Sequence, residues 1–150
     1  MAAAERKETL NIPLKAMFQA VTDYQAYSEF VTGMKKSQVI GPSADGKGKK
    51  AEFELEMIKK ISYSINVNDS FDEASGLATV QWSLDHSDFM KKNDGKWTMK
   101  ALGPNQTEVN YSLEIEFNFP APGFILKGLV ANSLPTAIRE FYQRALKQKV

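Results

Sequence analysis

The chain has 150 residues, 43% of them hydrophobic and 25% charged, and a formal net charge of +1. That length suits one domain with its own core, spanning residues 1–150, and the composition excludes a disordered or collagen-like chain. The near-neutral balance argues against a dedicated DNA-binding surface, and the absence of cysteine excludes disulfides and thiolate chemistry.

The first residues lack the apolar run of a secretory signal, and no stretch approaches the roughly 18 apolar residues needed to span a bilayer. The longest apolar segment, residues 124–131, is broken by Lys127. A soluble, cytoplasmic protein is therefore the expectation. Residues 6–12 suit a short edge strand. Asn11-Ile12-Pro13 then opens a helix, since proline loses nothing in a first helical turn. Met17, Phe18 and Val21 give that helix one apolar face. Thr22-Asp23-Tyr24-Gln25 reads as a capping box for a second short helix carrying Tyr24, Tyr27 and Phe30, with Gly33 beyond its end.

The period then changes from helical to alternating. A weak strand over residues 36–40 comes first. Ala51, Phe53, Leu55 and Met57 alternate with Lys50, Glu52, Glu54 and Glu56, the pattern of a strand with one buried face. Ile61, Tyr63, Ile65 and Val67 repeat it, as do Ala78, Val80, Trp82 and Leu84. Trp97, Met99 and Ala101 follow, and then Val109, Tyr111, Leu113, Ile115 and Phe117. Turn signals separate the runs, among them Asp45-Gly46, Ala74-Ser75-Gly76, Asn93-Asp94-Gly95 and Gly103-Pro104-Asn105.

A sheet with one apolar face must bury that face against another layer. The candidate is residues 124–147, a long helix in which Leu126, Val130, Leu134, Ile138, Phe141 and Ala145 form an apolar stripe. Pro135 lies inside it, at the cost of one backbone hydrogen bond. The pattern predicts an α+β fold: a curved antiparallel sheet of six to seven strands wrapped around a long C-terminal helix, with two short N-terminal helices.

The run Phe18-x-x-Val21-x-Asp23-Tyr24-x-x-Tyr27-x-x-Phe30 resembles the N-terminal signature of the polyketide cyclase/dehydrase and coenzyme Q-binding group of the START-like (SRPBCC) superfamily. Asp94-Gly95-Lys96-Trp97 resembles the group's Gly-x-Trp strand opening, and Phe119-Pro120-Ala121-Pro122-Gly123-Phe124 its approach to the final helix. Ser28 stands where the group usually carries proline. The resemblance implies a helix-grip fold with a tunnel between sheet and last helix. It also implies binding of lipids, polyprenyl quinones or aromatic polyketides, or, in one branch, action on ribosomes.

The inward set Phe53, Leu55, Tyr63, Val80, Trp82, Trp97, Met99, Tyr111 and Leu113 is large and rich in aromatics, with Ile125 and Leu129 of the helix as the opposite wall. By themselves such residues fill a core. The helix-grip resemblance instead makes them the lining of a ligand cavity, since a bent sheet and a single helix leave a gap between them. Tryptophan, tyrosine and methionine suit such a lining, offering polar tips and an adaptable thioether.

Catalysis finds little in the chain. His86, the only histidine, lies between Asp85 and Asp88 and reads as a solvated residue near a strand end. There is no nucleophile elbow, phosphate loop or dinucleotide fingerprint, and no metal or cofactor is expected. A cyclase or aromatase that works mainly by holding its substrate remains an alternative, with Tyr63, Tyr111 or Arg139 as proton or charge partners. Lysine doublets at 35–36, 47–50, 59–60 and 91–92 leave transient membrane or ribosome contact as a further one. Oligomeric state is open. The leading expectation is a carrier of a hydrophobic small molecule.

Overall fold

The computed structural model describes residues 2–56, 60–118 and 123–148, the side chains of residues 2 and 123–133 excepted. Seven strands form one antiparallel sheet: β1 (Ala2–Leu10), β2 (Met34–Pro42), β3 (Lys49–Glu56), β4 (Lys60–Asp72), β5 (Leu77–Ser87), β6 (Met90–Gly103) and β7 (Gln106–Phe117). Their spatial order is β1-β7-β6-β5-β4-β3-β2, so the meander runs from one edge and the N-terminal strand closes the other. Between β1 and β2 lie α1 (Leu14–Thr22), a 3-10 turn (Tyr24–Ala26) and α2 (Tyr27–Phe30), and the long α3 (Gly123–Gln148) follows the sheet. This is the α+β helix-grip architecture that the alternation pattern predicts.

Burial follows the alternation. Ala51 and Phe53 on β3, Ile65 and Val67 on β4, Ala78 and Val80 on β5, Trp97 and Met99 on β6, and Val109 on β7 are all buried. The visible part of the α3 stripe behaves as expected, with Leu134, Ile138, Phe141 and Ala145 buried. Leu126 and Val130, like the cavity candidates Ile125 and Leu129, have side chains outside the described residues, and Met57 lies outside them entirely. Helix α3 continues through Pro135. Helix α1 buries Leu14, Met17, Ala20 and Val21. The side chain of Thr107 ties this region to the β6–β7 hairpin by donating to the Ile12 carbonyl at 2.7 Å.

Three expectations need correction. The edge strand begins at Ala2 rather than near residue 6, because backbone pairing with β7 from Ala2–Ile115 to Leu10–Thr107 recruits alanines and charged residues that carry no alternation signal. Thr22 does not cap a helix: its hydroxyl donates to the Phe18 carbonyl of its own helix, and a 3-10 turn precedes α2 without a side-chain cap. Asn93-Asp94-Gly95 is not a turn. All three residues lie within β6, paired with Ile115, Glu114 and Leu113 of β7. The β5–β6 turn comes earlier, where the Ser87 hydroxyl accepts from the backbone N–H groups of Phe89 and Met90, both at 3.2 Å.

Candidate functional site: an apolar pocket between sheet and helix

Among the described residues, the buried apolar side chains form a larger and a smaller cluster. The larger joins α1, the C-terminal half of α3 and the central strands; the smaller holds Ile61, Met90, Leu113, Ile115, Phe117 and Leu134. Tyr63, Trp82 and Tyr111 touch both clusters. Between them is a pocket of about 510 Å³.

The wall of this pocket is an arc of rings in successive contact. Tyr63 meets Phe53 at 5.5 Å between centroids, and Phe53 stacks on Tyr27 at 5.5 Å. Tyr27 meets the edge of Phe141 at 5.0 Å, and Phe141 meets Trp97 at 5.4 Å. Trp97 stacks on Tyr111 at 4.4 Å with planes 10° apart, and Tyr111 meets Trp82 at 5.9 Å. Each contact adds a little to the burial energy of its rings and fixes their orientation. At the exposed end of the pocket the Glu140 carboxylate on α3 accepts from the Thr32 backbone N–H and from the Thr32 hydroxyl. That clamp holds the helix against the segment joining α2 to β2.

Of the expected lining residues, Phe53, Leu55, Tyr63, Val80, Trp82, Trp97, Tyr111 and Leu113 border the pocket. Met99 does not. It is fully buried two residues beyond Trp97, paired with Ala78 and Val109, in the larger cluster that also takes the buried face of α1. The sequence reading missed Tyr24, Tyr27, Asn93 and Phe141 as wall residues. The aromatic ones were visible as helix-face residues; Asn93 was hidden by its turn-like neighbours. Its side-chain carbonyl accepts the Trp82 indole N–H at 3.1 Å, while its amide nitrogen has the Met90 sulfur at 3.7 Å.

The polar atoms in the wall are few. Tyr24 donates to the Asp69 carboxylate at 2.8 Å and Tyr27 to the Val21 carbonyl. Tyr63 and Tyr111 both line the pocket, and among the described residues their hydroxyls make no hydrogen bond. Burial pushes the pKa of both well above the usual tyrosine value, and at Tyr63 the proximity of Tyr111 adds to the effect. At neutral pH they are neutral donors. His86 stands away from this site, 80% exposed and 3.9 Å from Asp88. Among the described residues no cluster of metal-ligating side chains is present, and no helix is long and apolar enough to cross a membrane.

The seven-stranded curved sheet closing on a terminal helix defines a START-like protein. The sequence profile of the family described as polyketide cyclase / dehydrase and lipid transport matches residues 10–142. The chain belongs to that family. The ribosome association toxin RatA of Pseudomonas aeruginosa is 26% identical over 144 residues, covering 94% of this chain and 93% of that protein. A START superfamily protein from Mycobacterium smegmatis superposes with a TM-score of 0.82 at 18% identity, over 97% of this chain and 98% of the other. The Zhui aromatase/cyclase of a Streptomyces species superposes with a TM-score of 0.76 at 10% identity, over 99% and 95% of the two chains. At those identities the solved structures establish the fold.

Proposed function

We propose that the protein binds and carries a hydrophobic small molecule, a lipid, polyprenyl quinone or aromatic polyketide, in the pocket between sheet and helix. The observation that carries this reading is a space of about 510 Å³ walled by the arc of rings from Tyr63 through Phe141 to Trp82. Ligand sites usually occupy about 300–1,000 Å³ and combine apolar walls with a few placed polar groups. Tyr63 and Tyr111 line the space and supply such groups: among the described residues neither hydroxyl makes a hydrogen bond, so each is free to donate to a guest that brings an acceptor oxygen.

Enclosing on the order of 400 Å² of apolar ligand surface yields roughly 10 kcal/mol at about 25 cal/mol/Å². Association costs of about 4–15 kcal/mol oppose it. At the favourable end the remainder corresponds to a Kd between about 1 mM and 1 μM, and two hydrogen bonds at about 1 kcal/mol each carry it toward the lower value. Mass spectrometry of an organic extract tests the reading, using protein purified from its own cells without detergent. A near-stoichiometric apolar compound is expected; an empty extract contradicts carriage.

The tyrosines make a second prediction. Tyr63→Phe and Tyr111→Phe remove hydroxyls that no described group satisfies, so thermal stability should hold or rise slightly in each. Affinity for an oxygen-bearing ligand should fall about fivefold to tenfold in each variant, the worth of one hydrogen bond. Melting curves and binding isotherms on the two variants check both halves.

The Pseudomonas aeruginosa relative favours a second reading, contact with the ribosome, because its similarity runs through nearly the whole of both chains. Exposed Lys35, Lys36, Lys47 and Lys49 are available to meet phosphates. Cosedimentation with ribosomal subunits that weakens steeply with added salt supports it. Absence of the protein from the ribosomal pellet at low salt rejects it.

A further inference from the structure

We infer that Gly95 sets the size of ligand the pocket admits, by giving the Trp82 indole a floor to lie on. The inference rests on the binding reading above and adds a specificity-determining residue to it. Gly95 sits in the interior of β6, paired with Trp82 on one side and Leu113 on the other. Its backbone is not in the left-handed region, so no turn geometry calls for glycine there. Glycine inside a strand is unfavourable and commonly marks a close approach by another group.

That approach is the indole of Trp82. A methyl group at position 95 would stand 2.1 Å from Trp82 Cζ2, with Cε2 at 2.6 Å and Cη2 at 2.7 Å. Ordinary contact begins at 3.4 Å, so the two cannot coexist in this arrangement. Two residues before Gly95, on the same face of β6, Asn93 holds the indole N–H at 3.1 Å and is itself only 6% exposed. Floor and hook together fix the ring against β6. Trp82 and Gly95 also line a more open recess beside Ala3, Ala4 and Glu5, but a ring lifted from position 95 on the Asn93 face moves away from the sheet backbone and toward the apolar pocket that Trp82 borders. An added methyl at position 95 therefore subtracts space from the ligand rather than from a packed core.

Two neutral fluorescent probes of similar chemistry and different size test this: 2-naphthol, with two fused rings, and 1-hydroxypyrene, with four. The wild-type protein should bind both. Gly95→Ala should weaken 1-hydroxypyrene about tenfold or more while changing 2-naphthol by less than about threefold, the scale on which a filled pocket rejects added bulk. Adding Trp82→Phe, whose shorter ring lacks the edge that meets position 95, should restore 1-hydroxypyrene binding. If Gly95→Ala alone does not fold, the Trp82→Phe/Gly95→Ala pair should fold and bind 1-hydroxypyrene. Equal weakening of both probes, no weakening of either, or a pair that neither folds nor recovers binding overturns the role of Gly95. A wild-type protein that takes up neither probe overturns the binding reading itself, and this inference with it.

Discussion

Above about pH 10 the protein should lose stability steeply and unfold within one to two pH units. Four of its five tyrosines, Tyr24, Tyr27, Tyr63 and Tyr111, have pKa values raised well above the ordinary value, in each case chiefly by burial. At Tyr24 the charge of Asp69 and the hydrogen bond to it add to the shift. A raised folded-state value means that the unfolded chain gives up these protons first. The stabilisation is complete below the unfolded value near 10 and is lost as pH climbs toward the folded values. Each such group contributes about 1.4 kcal/mol per pH unit in that window. Four of them together give about 5 kcal/mol per unit, against a total stability of about 5–15 kcal/mol for an ordinary domain. Tyrosine absorbance and near-ultraviolet circular dichroism should therefore change together in one cooperative step. Tyr63→Phe should make the alkaline loss about 1.4 kcal/mol per pH unit shallower. Independent ionisation of all the tyrosines near pH 10, with near-ultraviolet dichroism intact, contradicts their burial.

Phe141→Ala should be the most damaging of the simple truncations at the pocket. Phe141 is 5% exposed and meets three rings, Tyr27 at 5.0 Å, Phe30 at 5.1 Å and Trp97 at 5.4 Å. It is the point at which α3 grips the N-terminal helices and the sheet together. Its removal forfeits the transfer energy of the ring and leaves a cavity next to an existing space, at a cost of about 3–5 kcal/mol. For a chain of this length the melting temperature should drop by roughly 10 °C. Urea unfolding gives the same quantity independently. Because Phe141 and Trp97 touch, Phe141→Ala combined with Trp97→Phe should cost less than the sum of the separate effects. Leu146→Ala, at a 42% exposed position near the end of α3, should change stability by less than about 1 kcal/mol and serves as the control.

The strands from β3 to β7 were legible because one face of each is apolar and the other polar, and a period of two is hard to produce otherwise. The inward sides of Phe53, Tyr63, Trp82, Trp97 and Tyr111 followed from that parity alone. Alternation gives the face of a residue but not the distance to whatever covers it. It therefore could not separate Trp97, on the pocket wall, from Met99, which is fully buried in the larger cluster and does not line the pocket. Strand β1 was only partly legible, since Ala2, Ala3 and Ala4 carry no pattern and the strand is held by pairing with β7. Asn93-Asp94-Gly95 misled for a physical reason. The residues that favour a tight hairpin are also those required where an indole presses on a strand and needs an acceptor beside it. Extending the Trp97 parity backward through Gly95 to Asn93 would have placed both on the inner face.

Titration of tryptophan emission with N-phenyl-1-naphthylamine, a neutral apolar compound, reads out whether the space between sheet and helix takes up a guest. The chain has two tryptophans, Trp82 and Trp97, and both border the pocket, so their emission reports on its interior. Saturable quenching at one molecule per chain, with half-saturation in the micromolar range, is expected. Quenching that rises linearly without saturation, as from collision with the surface, would contradict it.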